Sequence, residues 1–279
     1  MPRAIVEEFI RDFLAVPENN DLGPGTTGKA WDGFLLGYSN GADDLYAFWK
    51  EHIGDFHWSP AEAFALGAAQ PAGDGELTVI SFALCQTEET KASNRAQTKF
   101  PSELWARARI YGQRHIRELH KALVVALTAE GYPAVAPLLL REWGEYRSPT
   151  YGHASSWSER HVAYTSGLGT FGLCGGLITE RGKAVRLGSV IARVSIPPTP
   201  RPYTEPFAYC LHYADGGCAE CVGRCPVGSV GEQGRDKSAC ARHLEPATKE
   251  FVVREYGFDG YGCGLCQTGV PCESGIPVA

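Results

Sequence analysis

Eight of the chain's ten cysteines follow residue 209, in the order Cys210, Cys218, Cys221, Cys225, Cys240, Cys263, Cys266 and Cys272, and Cys225 is followed directly by Pro226. Four thiolates hold one four-iron cluster, so eight is the ligand count for two 4Fe-4S clusters. Two clusters pass single electrons, which makes this end of the chain an electron relay. The residues before Cys210 far outnumber what a relay needs, so the electrons are expected to serve a reaction carried out elsewhere in the chain.

Two other uses of the thiols compete. Disulfides require export, and Glu7 and Glu8 stand where a signal peptide would need its apolar core. The expectation is therefore a cytoplasmic protein whose thiols stay reduced. Zinc is the second alternative, because Cys218-x2-Cys221 and Cys263-x2-Cys266 together supply one tetrahedral thiolate site. That arrangement leaves Cys210, Cys225, Cys240 and Cys272 without a role.

The run from Cys218 to Pro226, C-x2-C-x3-C-P, resembles the end of the bacterial ferredoxin pattern, whose last cysteine serves the other cluster. The pattern is irregular here. The position three residues before Cys218 is Asp215, and Cys210 is the nearest thiol upstream. Thiolate binds iron better than carboxylate, and the glycines before Cys218 permit a looped approach, so Cys210 is the candidate ligand and Asp215 the substitute. By analogy with the ferredoxin pattern, Cys210, Cys218, Cys221 and Cys272 form one group and Cys225, Cys240, Cys263 and Cys266 the other.

The elements that position this chemistry can be read from periodicity. With 279 residues and 44% hydrophobic content the chain can bury a sizeable core and a smaller module. Its net charge of −6 argues against nucleic acid as the main ligand, since phosphate binding calls for clustered Lys and Arg. No stretch approaches the length of an apolar membrane span. Ile5, Val6, Phe9, Ile10, Phe13 and Leu14 predict a packing helix over Ala4–Ala15. Leu77–Cys85 predicts a buried strand with Cys85 as a core thiol. A long helix is predicted from Ser102 to Glu130, with Gly131 beyond it and Arg107, Arg114, Arg117 and Lys121 on a solvated face. Residues 176–196 hold two β-prone runs around the polar turn ERGK and predict a hairpin. Pro197–Pro202 is the expected linker, which places a cofactor and substrate domain at 1–200 and the cluster domain at 201–279.

The phrase SGLGTFGLCGGLIT (Ser166–Thr179), then VRLGSVI (Val185–Ile191), then a proline-rich join and the double cysteine run, resembles the epoxyqueuosine reductase and reductive dehalogenase superfamily. The resemblance covers residues 75–279. It implies a mixed α/β (α+β) fold, with a nitroreductase-like corrin-binding domain followed by a ferredoxin-like domain carrying two 4Fe-4S clusters. It also implies cobalamin packed between the two, fed through the clusters by an external donor of the ferredoxin or flavodoxin type and reducing a small organic substrate. Gly167, Leu168, Gly169, Gly172 and Cys174 are the residues expected near a corrin, since absent side chains let backbone amides approach a flat ligand. A tight turn is the plainer account of those glycines, and buried packing that of Cys174.

Reduction requires a proton donor. The superfamily's aspartate position falls on His153, and Tyr151 resembles the tyrosine acid of the dehalogenases; both lie in SPTYGHASSW, which suits a pocket-lining loop. Either is equally well a loop residue with local bonds. Glu159-Arg160 stands where the superfamily carries the same pair, with Arg160 expected in a structural ion pair and His161 packed beside it. Trp143 and Trp157 fit a stacking surface or the core. Two function classes remain: a reductase with its own substrate chemistry, and an electron-transfer or corrinoid-reducing protein without it. A deep pocket favours the first.

Overall fold

The central sheet is antiparallel and buried on both faces. The structure, a computed structural model, describes residues 2–277, so Met1 of the N-terminal segment and the last two residues of the cluster segment lie outside it. The chain opens with α1 (Pro2–Ala15), β1 (Trp31–Asn40), α2 (Asp44–Ile53) and α3 (Pro60–Gly67), then β2 (Thr78–Gln86), α4 (Glu88–Arg95) and α5 (Glu103–Ala129). Next come β3 (Ala134–Val135), β4 (Glu145–Ser148), β5 (Gly152–Ser155), α6 (Glu159–Thr165), β6 (Gly169–Phe171), β7 (Leu177–Thr179) and β8 (Val185–Ala192). The cysteine-rich segment carries α7 (Leu211–Ala214), α8 (Glu220–Gly223), β9 (Val230–Gly231), β10 (Gly234–Arg235), α9 (Lys237–Arg242) and α10 (Lys249–Tyr256).

The sheet runs β1-β2-β8-β3. Every residue of β2 is buried, which is why its sequence shows no polar alternation. Ile80, Phe82 and Leu84 pack with Ile10 of α1 and Ile116, Leu119 and Leu123 of α5. The alternate residues Val79 and Ala83 turn to the opposite face, against Trp157 and Val162 in one cluster and Trp49 and Ala163 in another. Three layers result.

The predicted α1, β2 and α5 are present within one or two residues of their expected ends. The side chain of Ser102 accepts from the Trp105 amide at 3.2 Å and caps α5; Gly131 beyond its end has φ +86°. The arginine face of α5 differs from expectation, because Arg107 is buried and donates to Glu103 and to the Leu22 and Pro24 carbonyls.

The predicted hairpin over 176–196 does not form. Leu177–Thr179 pairs with Gly169–Phe171, and Val185–Ala192 pairs instead with β2 and β3. The turn between them closes on itself, with Thr179 Oγ1 donating to the Gly182 carbonyl at 2.7 Å. The amides of Lys183 and Ala184 then reach the carbonyls of Cys272 and Glu273. The strand edge is thereby spent on the cysteine-rich segment rather than on a hairpin partner.

Residues 197–200 form no regular element, as the prolines require. Contacts across them are dense. Arg224 donates to the Leu265 and Thr268 carbonyls within the cysteine-rich segment and to the Asn94 and Gln97 carbonyls outside it. Arg95 pairs with Glu273, whose side chain is 6% exposed. Among the described residues no helix is long and apolar enough to cross a membrane.

Candidate functional site

All ten cysteines are free thiols. Cys210, Cys218, Cys221 and Cys272 line one small chamber together with Gly172 and Lys183. Cys225, Cys240, Cys263 and Cys266 stand on the wall of a separate cavity of about 790 Å³. The eight thiols thus border two hollows, four on each. Among the described residues no three His, Cys, Asp or Glu side chains converge closely enough to hold a single metal ion.

Local structure holds these loops. Gly264 has φ +66°, and a Cβ there would strike the Trp105 ring, so only glycine permits the turn from Cys263 to Cys266. The Ser229 amide and hydroxyl contact Cys225 Sγ at 3.2 and 3.1 Å, and these bonds lower its pKa against the opposing effect of burial.

Cys174 lies between the two groups. Its thiol is buried, contacts the thiols of Cys221 and Cys266, and accepts from Lys183 Nζ at 3.5 Å. Those two thiol contacts, with the Lys183 ammonium alongside, draw its pKa well down despite burial. Lys183 is held protonated, the surrounding cysteines outweighing its own burial.

The large cavity is walled by four parts of the fold. From α5 come Trp105, Arg109, Gln113 and Arg117, set four residues apart and hence on one helix face. β8 contributes Arg186, the start of α6 contributes Glu159 and Arg160, and the loop after Cys174 contributes Gly175 and Gly176. A Cβ at either glycine would meet no atom closer than 3.6 Å, so the wall is open there.

Glu159 is the unusual group. Neither carboxyl oxygen has a hydrogen-bond partner, and both are shielded by protein. Burial pushes its pKa up to about 8, with the nearby Ser189 hydroxyl opposing the shift. The side chain is thus a neutral acid at pH 7. Arg160 does not pair with it. Adjacent helix residues face different ways, and Arg160 donates instead to the Gly175 carbonyl at 2.7 Å. The expected ion pair is absent. His161 packs as anticipated, its Nδ1 against Ser158 Oγ at 2.7 Å, and burial holds its pKa well below the usual value. Trp157 is in the core, donating to Ser189 Oγ at 2.9 Å, yet one edge reaches the cavity; so does Trp143.

Other anticipated residues fall elsewhere. Tyr151 and His153 are exposed and occupy the β4–β5 hairpin rather than an irregular loop. Neither lines the large cavity. The His153 carbonyl accepts from Lys237 Nζ at 2.8 Å, and that ammonium lies 5.8 Å from the Tyr151 ring centre. Gly167, Leu168 and Gly169 also lie off the cavity wall. Gly167 backs onto Thr199 and Pro200, Leu168 is in the core, and a Cβ at Gly169 would collide with the Ile178 carbonyl. Of the residues expected beside a corrin, Cys174 reaches the large cavity and Gly172 the small chamber.

No protein-family model matches the chain. A stretch of 125 residues is 35% identical to epoxyqueuosine reductase of Bacillus cereus, covering 43% of this chain and 30% of that protein. The chain therefore spans well under two thirds of the curated relative it matches. A catabolic reductive dehalogenase in complex with 3-bromo-4-hydroxybenzoic acid superposes with a TM-score of 0.51 at 13% identity, over 98% of this chain and 37% of that one. An epoxyqueuosine reductase solved with a modified tRNA stem loop gives 0.48 at 17% identity, over 98% and 68%. The resemblance read from the glycine phrase and the cysteine run is to the superfamily that these comparisons return, and the mixed α/β fold is shared.

Proposed function

We propose that this chain is an iron–sulfur reductase whose two 4Fe-4S clusters deliver electrons to a corrinoid held in the large cavity, where a small organic substrate is reduced. The observation that carries the reading is that one group of four thiols lines the wall of the cavity that also holds a buried neutral acid. The relatives, a reductase and a dehalogenase, support a reductase role. In such a protein the clusters supply electrons one at a time and the corrinoid supplies a strongly reducing centre. The rest is done by the chain's own residues. Cys210, Cys218, Cys221 and Cys272 would hold one cluster, and Cys225, Cys240, Cys263 and Cys266 the other. Gly175 and Gly176 leave a bare wall for a flat ligand, with Trp157 and Trp143 at its edge.

The proton donor proposed is Glu159, in place of His153 or Tyr151. Glu159 lines the cavity, and burial raises its pKa to about 8, as suits a general acid once the side chain turns its shielded carboxyl toward the occupant. The cavity and this acid favour an enzyme over a bare electron carrier. A cavity of this volume suits a small organic substrate beside a cofactor, supplied with electrons by a ferredoxin or flavodoxin.

Anaerobic titration with cobalamin tests the reading. Saturable binding, with a change in the corrin's visible spectrum and stoichiometric cobalt after gel filtration, is the expected result. Failure to retain cobalt by protein that carries its full iron would overturn the corrinoid assignment and leave an electron carrier.

A further inference from the structure

We propose that the cavity contains an oxyanion site in which Arg186 and its neighbour Arg109 bind a carboxylate or phosphate group of its occupant. The proposal rests on reading this cavity as the reductase site and names the chemistry of what enters it. The wall carries the guanidinium groups of Arg109, Arg117, Arg160, Arg186 and Arg235. Among the described residues none of the five is in an ion pair with a carboxylate. The carboxyl groups on the same wall are Glu145, which is exposed, and Glu159, which is neutral.

Two of these arginines keep buried nitrogens with no hydrogen-bond partner, Arg186 at Nη2 and Arg235 at Nε. The chain saturates its arginines elsewhere: Arg107 and Arg224 spend their donors on carbonyls and a carboxylate. A buried unpaired guanidinium is costly, and like charges beside it raise the cost. Burial and then the neighbouring Arg109 depress the pKa of Arg186; burial and then Arg235 depress that of Arg160 to about 10. Both shifts report a missing counter-ion.

The cluster thiolates do not fill that role for Arg186. The charge set against Cys174, Cys272, Cys221 and Cys266 is Lys183, whereas the ionisable neighbours of Arg186 are Arg109 and Tyr261. Tyr261 is already occupied as the partner of Arg109 Nη2, at 3.1 Å. A planar fork of N–H donors with no partner matches a carboxylate or a phosphate. Lys237, nearer the hairpin, is drawn down to about 8 by burial and by Arg160 and Arg235, so the positive field extends toward the solvent side.

The test uses anaerobically prepared protein carrying its iron, titrated calorimetrically with inorganic phosphate, benzoate and the neutral analogue benzamide at low and high salt. The expected result is saturable, salt-sensitive binding of phosphate or benzoate, with benzamide weaker by roughly tenfold or more, the scale of a lost charge-assisted hydrogen bond. Arg186→Gln and Arg109→Gln should each weaken the anion by a similar factor, while Arg254→Gln, a surface residue paired with Glu255, should bind as the parent does. Tighter phosphate than benzoate assigns the site to a phosphate-bearing occupant, and the reverse order to a carboxylate. Equal binding of benzoate and benzamide, or parental affinity in both cavity variants, overturns the proposal. Circular dichroism and iron content identify a variant that has not folded, in which case the other cavity variant decides. No cobalt and no turnover enter the measurement, so the oxyanion site and the reductase reading stand or fall separately.

Discussion

Glu159 makes a prediction that separates chemistry from packing. Its carboxyl has an ordinary pKa near 4.5 when solvated and about 8 in the fold. A raised pKa means that the fold favours the protonated form, so stability is full below the ordinary value and is lost as pH rises through about 8. The melting temperature of the parent should therefore fall between pH 5 and pH 9 more than that of Glu159→Gln, as followed by circular dichroism; parallel curves would show that the carboxyl is not buried as described. Turnover should decline above the same pKa, and Glu159→Gln should lower it on the order of 100-fold with iron unchanged. The same substitutions at His153 and Tyr151, which lie off the cavity wall, should have much smaller effects. For the thiols, Cys221→Ala and Cys263→Ala each disturb one group, and each should lose about four irons, one cluster's worth. Iron content unchanged in either variant would remove that cysteine from the ligand set.

Among the elements, α5, the loop from Cys263 to Cys266 and Arg224 beside that loop carry the site. Arg224 joins both cysteine runs to the end of α4 through four backbone carbonyls. Arg224→Met should cost about 3 kcal/mol, since charge-assisted bonds are lost and buried acceptors left behind, and chemical denaturation should show the loss together with easier release of iron. A loss under about 0.5 kcal/mol, the level of an ordinary surface substitution, would mean that these contacts do not hold the loops. The sequence disclosed these elements unevenly. Helix α5 and strand β2 were legible because their apolar periodicity is long and uninterrupted. The hairpin misreading arose because β6 and β7 are three residues each, too short to show a period, and because β8 pairs with β2 a hundred positions away. Arg109, Gln113 and Arg117 repeat at helical spacing, yet the polar face read from the sequence is Arg107, Arg114, Arg117 and Lys121. Periodicity tells which residues share a face, not what covers it, so a stripe facing an internal cavity reads like one facing water.

At the scale of the molecule, the cysteine count is the most legible feature, because ligand chemistry fixes residue type and number more tightly than packing does. The proposed acid was not legible in this way: counting back from the glycine phrase leads to His153, whereas the residue of this stretch on the cavity wall is Glu159, at the first turn of α6. A sequence position transfers between relatives only where the intervening loop keeps its length, and this chain spans 30% of its curated relative. The boundary at 200 is a linker by composition, yet backbone bonds from Lys183 and Ala184 to Cys272 and Glu273 cross it. The segments on either side share the cavity wall. Calorimetry of the iron-loaded protein should accordingly show one cooperative transition, and two well-separated transitions would establish independent domains.

The central claim is that two clusters deliver electrons to a corrinoid in the large cavity, and metal content tests it most directly. Iron, acid-labile sulfide and cobalt would be measured on protein purified without oxygen and incubated with cobalamin, with visible and electron paramagnetic resonance spectra alongside. About eight irons, the content of two four-iron clusters, together with one cobalt per chain is the predicted result. Eight irons without retained cobalt would contradict the corrinoid assignment, and iron near zero would contradict the electron relay itself.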